Sequence, residues 1–86
     1  LVLAGLGDCY FQMGQYDKAI EKYELALSHK ENDASLYLKI GVTFAKSGAH
    51  AEAVERLKQA LSIDPNLSEA QALLKSCQYQ LGWDTE

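Results

Sequence analysis

Residues 3–27 read LAGLGDCYFQMGQYDKAIEKYELAL, and residues 37–61 read YLKIGVTFAKSGAHAEAVERLKQAL. The two stretches align residue for residue at a spacing of 34. Gly7 falls on Gly41, Tyr10 on Phe44, Gly14 on Gly48, Ala19 on Ala53, Ala26 on Ala60 and Leu27 on Leu61. A fixed period of this size marks a stacked repeat, in which each unit covers the apolar face of its neighbour. Such scaffolds hold partners more often than they carry out chemistry.

The punctuation around the two copies divides the chain into five helices. The apolar spacing predicts helices over residues 1–13, 16–29, 34–46, 50–63 and 67–81. Gly14, Gly48 and Gly82 end three of them, and Asp64-Pro65-Asn66 ends the fourth, because proline cannot continue a helix interior. Asp33 and Asn66 stand where N-caps belong. No segment alternates with a period of two, so no strand is predicted. The short turns within each pair force antiparallel helix hairpins.

Glycine inside a helix costs about 1 kcal/mol relative to alanine. Gly7 and Gly41 are tolerable there if two helices approach closely, with Ala19 and Ala53 as the facing small residues and Tyr10, Phe44, Tyr23 and Leu57 filling the space beside them. A second stripe is expected to dock one hairpin on the next: Val2, Leu6 and Cys9, then Leu36, Ile40 and Thr43, then Ala70, Leu74, Cys77 and Leu81. The fifth helix keeps that stripe but carries Gln71, Lys75 and Gln78 on its other face. A polar outer face is what a terminal cap requires. The expected organisation is a repeat at 1–33, a repeat at 34–67, a capping helix at 68–82 and a tail at 83–86. The apolar opening Leu1-Val2-Leu3 suggests that further repeats precede it, and self-association through that uncapped first helix is a further expectation.

Composition narrows the partners. The chain has 86 residues, 12 acidic and 8 basic, for a net charge of −4, and its one arginine is Arg56. A single domain of this size buries roughly 60–65% of the surface its unfolded chain exposes. Without a basic run, neither nucleic acid nor an anionic membrane surface is an expected partner. No apolar stretch is long enough to span a bilayer. Cys9 and Cys77 occupy equivalent places in different units, roughly 20 Å apart at ~10 Å per helix layer, too far for a disulfide. Both are expected to be small core residues, which slightly favours a reducing compartment and, weakly, the cytoplasm.

No residues combine into a catalytic or metal-binding set, so no cofactor and no enzymatic activity are expected. His29 and His50 lie on different helices without a paired ligand. His29 suits a helix C-terminus and His50 is expected at the surface. Asp17, Glu21 and Glu24 read as a solvated helix face. Asn66-Leu67-Ser68 fits a glycosylation acceptor, but Asn66 reads more simply as a cap.

These residues resemble the tetratricopeptide repeat family. The first copy supplies Leu3, Leu6-Gly7, Tyr10, Ala19 and Tyr23, and the second Tyr37, Ile40-Gly41, Phe44, Ala53, Leu57 and Pro65. Leu3 and Tyr37 replace the family's tryptophan, and Glu31 replaces a proline. The resemblance implies an all-α fold: an alpha-alpha superhelix of two helix hairpins plus a C-terminal capping helix. It also implies a concave groove for a peptide or partner helix. By that resemblance the groove residues are Ala4, Asp8, Phe11 and Gln12, then Leu38, Val42, Ala45 and Lys46, then Ala72, Ser76 and Tyr79. Phe11 and Leu38 lie off the core stripes. They either pack on each other or on nearby backbone, bind a ligand, or meet a further repeat. Family members that grip a terminal carboxylate use a basic cluster. The corresponding positions here are Ala4, Asp8, Lys39, Glu69 and Leu73, with one base against two acids, so that ligand is not expected. The function implied is a protein-interaction module at the C-terminal end of a longer scaffold or adaptor. The alternative is the recruiting arm of a multidomain transferase or hydroxylase.

Overall fold

The computed structural model describes residues 2–29 and 33–82. The expected tail at 83–86, the start at Leu1, the Val2 side chain and most of the 30–33 link lie outside the described residues. Five helices follow in order: α1 (Val2–Gln12), α2 (Tyr16–His29), α3 (Ala34–Lys46), α4 (His50–Ile63) and α5 (Ser68–Gln80). The described residues contain no strand. Helix α1 packs on α2 and α3 on α4 as hairpins, α2 packs on α3 to join them, and α5 covers α4 and touches α3.

The two hairpin turns are built alike. Gly14 and Gly48 adopt φ of 78° and 91°, the left-handed region that glycine enters without steric cost. In the first turn, the Gln15 N–H donates to Tyr10 O at 2.9 Å and the Gly14 N–H to Phe11 O at 3.0 Å. In the second, the Ala49 N–H donates to Phe44 O at 2.9 Å and the Gly48 N–H to Ala45 O at 3.1 Å. This double closure is the Schellman arrangement, and it satisfies carbonyls that the helix end would otherwise leave open. Asp33 caps α3 as expected: its Oδ1 accepts from the Ser35 N–H at 3.0 Å and the Leu36 N–H at 3.3 Å. Asn66 does not cap α5. The cap position falls on Leu67, which offers no side-chain acceptor, and the Asn66 N–H instead donates to Asp64 Oδ1 at 3.2 Å.

Two apolar clusters form the core. Ala19, Tyr23, Ala26, Leu27, Leu36 and Ile40 make the first, joining α2 to α3. Ala53, Val54, Leu57, Ala70 and Cys77 make the second, joining α4 to α5. Phe44 packs against both and ties them together. Gly7 and Gly41 are buried at close approaches, but what they admit is a side chain on the next helix. A β-carbon at Gly7 would stand 2.6 Å from the Tyr23 ring, and one at Gly41 would stand 2.9 Å from Leu57. Ala53 is the third neighbour of Gly41, through its carbonyl at 3.5 Å, while Ala19 is not among the nearest atoms to Gly7.

The docking stripe is partly covered. Leu36, Ile40, Thr43, Ala70 and Cys77 are buried, while Leu74 and Leu81 are half-buried against the second cluster. Thr43 satisfies its hydroxyl by donating to Lys39 O at 2.7 Å. Leu6 and Cys9, expected in the same stripe, are exposed, because no described helix covers that face of α1. The expectation that Cys9 is a core residue is therefore corrected, whereas Cys77 is buried. On α5, Gln71 and Lys75 are exposed and Gln78 is half-buried, so the polar face points outward. Gln71 also donates from Nε2 to Pro65 O at 2.6 Å. On the outer helices, Arg56 of α4 pairs with Glu24 of α2 at 2.7 Å, a second link between the hairpins.

Candidate functional site

Residues of α1, α2 and α3, with Glu69 from the start of α5, border an open hollow of about 500 Å³. Helix α1 contributes Asp8 and, one turn further on, Phe11 and Gln12. Helix α3 contributes Ser35, Leu38, Lys39 and Val42, which fall on one face at i, i+3, i+4 and i+7. Tyr23 and Thr43 form part of the wall, and Glu69 stands on the first turn of α5.

A polar triad braces this wall. Lys39 Nζ reaches both carboxylate oxygens of Asp8, at 3.0 and 3.1 Å. The Tyr23 hydroxyl donates to Asp8 Oδ1. Lys39 also stands 5.9 Å from the centre of the Tyr23 ring, within cation–π range. Burial pushes the Asp8 carboxyl up, but the Tyr23 hydroxyl and the Lys39 ammonium outweigh it and hold the group below its ordinary 3.8. Burial, then the bond to Asp8 and its negative charge, hold the Tyr23 phenol above its ordinary 10.0. The triad joins α1, α2 and α3, so it fixes the first hairpin against the second.

Phe11 is half-buried, packed on the first cluster, with its ring 5.6 Å from that of Tyr16. Leu38 is half-buried against the second cluster. Each also borders the hollow, so both sides of it present a partly covered apolar surface.

A second hollow of about 240 Å³ adjoins the first at Val42. It takes in Ala45, Lys46 and Ser76, together with His50, Leu73, Cys77 and Gln80. His50 differs from the expected surface residue: it is half-buried, and its Nδ1 is enclosed without a hydrogen-bond partner among the described residues.

Of the residues expected in the groove, Asp8, Phe11, Gln12, Leu38 and Val42 border the larger hollow, and Val42, Ala45, Lys46 and Ser76 the smaller. Ala4 packs half-buried on the first cluster. Ala72 is exposed and Tyr79 is 73% exposed, and neither borders either hollow. Tyr23, Ser35 and Thr43 in the larger hollow, and His50, Cys77 and Gln80 in the smaller, were not expected there. The face spacing of 35, 38, 39 and 42 carried the signal for Ser35.

Among the described residues, no group of three or more His, Cys, Asp or Glu could hold a metal ion. No described helix is long and apolar enough to cross a membrane.

A family model described as TPR repeat matches residues 7–48, and one described as Tetratricopeptide repeat matches residues 34–67. The Peroxisomal targeting signal receptor of Candida albicans is 33% identical over 69 residues, covering 80% of this chain and 12% of the receptor. The chain thus spans a small part of that relative. Among solved structures, the second TPR of Spaghetti (RPAP3), bound to HSP90 peptide SRMEEVD, superposes with a TM-score of 0.91. It is 26% identical and covers 95% of this chain and 76% of that one. The second TPR domain of human RPAP3, in complex with HSP70 peptide SGPTIEEVD, superposes with a TM-score of 0.89 at 26% identity, covering 94% and 68%.

Proposed function

We infer a function from the family to which this chain belongs, the tetratricopeptide repeats. It is a protein-interaction module that takes a peptide or partner helix into the groove between α1 and α3 and acts as part of a scaffold or adaptor. In this reading residues 1–33 and 34–67 are the repeats and 68–82 the closing helix. One observation carries it: Phe11 and Leu38, half-buried on separate clusters, border the same hollow and leave apolar surface open within it. A soluble chain has little reason to keep such surface facing a concave wall unless something covers it. The peptides held by the two RPAP3 domains support the class of function. They do not carry over as ligands. An acidic tail entering this groove meets Asp8 and Glu69, and its only lysine there is already bonded to Asp8.

The test compares proteins captured from a cell lysate by the native chain with those captured by a Leu38→Asp variant shown by circular dichroism to remain helical. Loss of a reproducible captured set supports the groove. An unchanged set places binding elsewhere on the molecule.

A further inference from the structure

We propose that the groove selects a segment in which an apolar side chain lies next to a lysine or arginine, the apolar group over Phe11 and Leu38 and the cation against Glu69. This rests on the groove reading above and adds the chemistry of the occupant.

One charge in the larger hollow is left unmatched. The ionisable groups bordering the larger hollow are Asp8, Tyr23, Lys39 and Glu69. Asp8 and Lys39 neutralise each other through two contacts. Tyr23 is a neutral donor to Asp8. Glu69 is left: it is exposed, and no described residue pairs with its carboxylate. The α5 N-terminus favours negative charge at that position and supplies no side-chain cation. The side chains bordering the hollow therefore carry one net negative charge beside its apolar surface, and the whole chain, at −4, adds a field of the same sign.

Lys39 does not reverse this. Two of its three donors point at Asp8, so an incoming carboxylate would compete for a cation that is already paired. The next cation is Lys46, seven residues further along α3, roughly 10 Å away, and it borders the neighbouring hollow. The groove is thus acidic at the α5 start and basic beyond Val42. That polarity places the ligand's cation at the Glu69 end. One exposed pair changes affinity only about threefold to fivefold, so Glu69 sets preference while the apolar contact sets binding.

The probe is a display library of random peptides selected on the native chain. The selected peptides are then measured on Glu69→Lys and on two blocking variants, Leu38→Asp and Gln12→Trp. Gln12 is exposed on the groove rim, so a tryptophan there fills the hollow without disturbing the core. The expected result is enrichment of lysine or arginine beside leucine, isoleucine, methionine or phenylalanine. Binding of those peptides falls about fivefold on Glu69→Lys and is lost on a blocking variant that remains helical. Peptides that are acidic or indifferent to charge, yet still lost on the blocking variants, overturn this inference and leave the groove reading standing. No enrichment over the blocking variants, or equal binding to them, overturns both.

Discussion

Gly7 of α1 lies against the ring of Tyr23 of α2, so close that a β-carbon there would stand 2.6 Å from Cε1 and 2.7 Å from Cδ1. The ring cannot easily withdraw: it is 2% exposed, and its hydroxyl is bonded to Asp8 one residue along from Gly7. Gly7→Ala therefore sets a gain of about 1 kcal/mol in helix propensity against an overpacking cost of about 1–3 kcal/mol. The expected net loss is about 1 kcal/mol, which lowers the melting temperature by roughly 4–8 °C. Gly5 is the control. It sits in the same helix with nothing within 4 Å of its added β-carbon, so Gly5→Ala raises the melting temperature. Thermal melts of the two variants by circular dichroism, with shifts of opposite sign, check the close approach.

The Asp8–Tyr23–Lys39 triad predicts two separate pH responses. The folded Asp8 carboxyl lies below its unfolded value of 3.8, so its stabilisation is full above pH 3.8 and is lost as pH falls through the folded value. The folded Tyr23 phenol lies above its unfolded value of 10.0. The folded state keeps that proton where the unfolded chain releases it, so stability is full below pH 10.0 and falls as pH rises beyond it. Urea midpoints across pH for the native chain, Asp8→Asn and Tyr23→Phe check this. The gap between the native chain and Asp8→Asn should narrow below pH 3.8, and Tyr23→Phe should flatten the decline above pH 10.0.

The helices were legible because their ends are written in residues with few alternatives. Gly14, Gly48 and Gly82 all take positive φ, and Asp33 caps α3. The repeat frame was legible because equivalent residues recur at a fixed spacing, down to matching closures at Tyr10 and Phe44. Burial along the docking stripe was less legible. Leu6 and Cys9 copy the pattern of Ile40 and Thr43, but burial depends on what stands opposite, and α2 covers that face of α3 whereas no described helix covers that of α1. The triad was hidden for a different reason. Tyr23 occupies a position that reads as core filler, and only the folded hairpin shows its hydroxyl reaching Asp8, 15 residues away in sequence. Asp8 and Lys39 are 31 residues apart, so their pairing likewise follows from stacking and not from local spacing.

The two free cysteines differ in what stands over them, which predicts how they react. Cys9 is exposed, and Cys77 is 1% exposed, with burial pushing its thiol above the ordinary 9.0. Reaction requires an accessible thiolate, so a thiol reagent should label Cys9 rapidly in the native chain and Cys77 only after denaturant is added. Mass spectrometry of the labelled chain reads both. Native labelling of Cys77 at the rate of Cys9 would mean that α5 does not stay docked on α4.

The claim on which the functional account turns is that a partner lies between α1 and α3. Amide chemical shifts of the isotopically labelled chain, recorded by NMR while a library-selected peptide is added, address it most directly. The account predicts that the largest changes fall on Asp8, Phe11, Leu38, Lys39, Val42 and Glu69. Changes centred instead on the exposed outer positions Glu21, Glu55 and Lys58 of α2 and α4, with Phe11 and Leu38 unmoved, would contradict it.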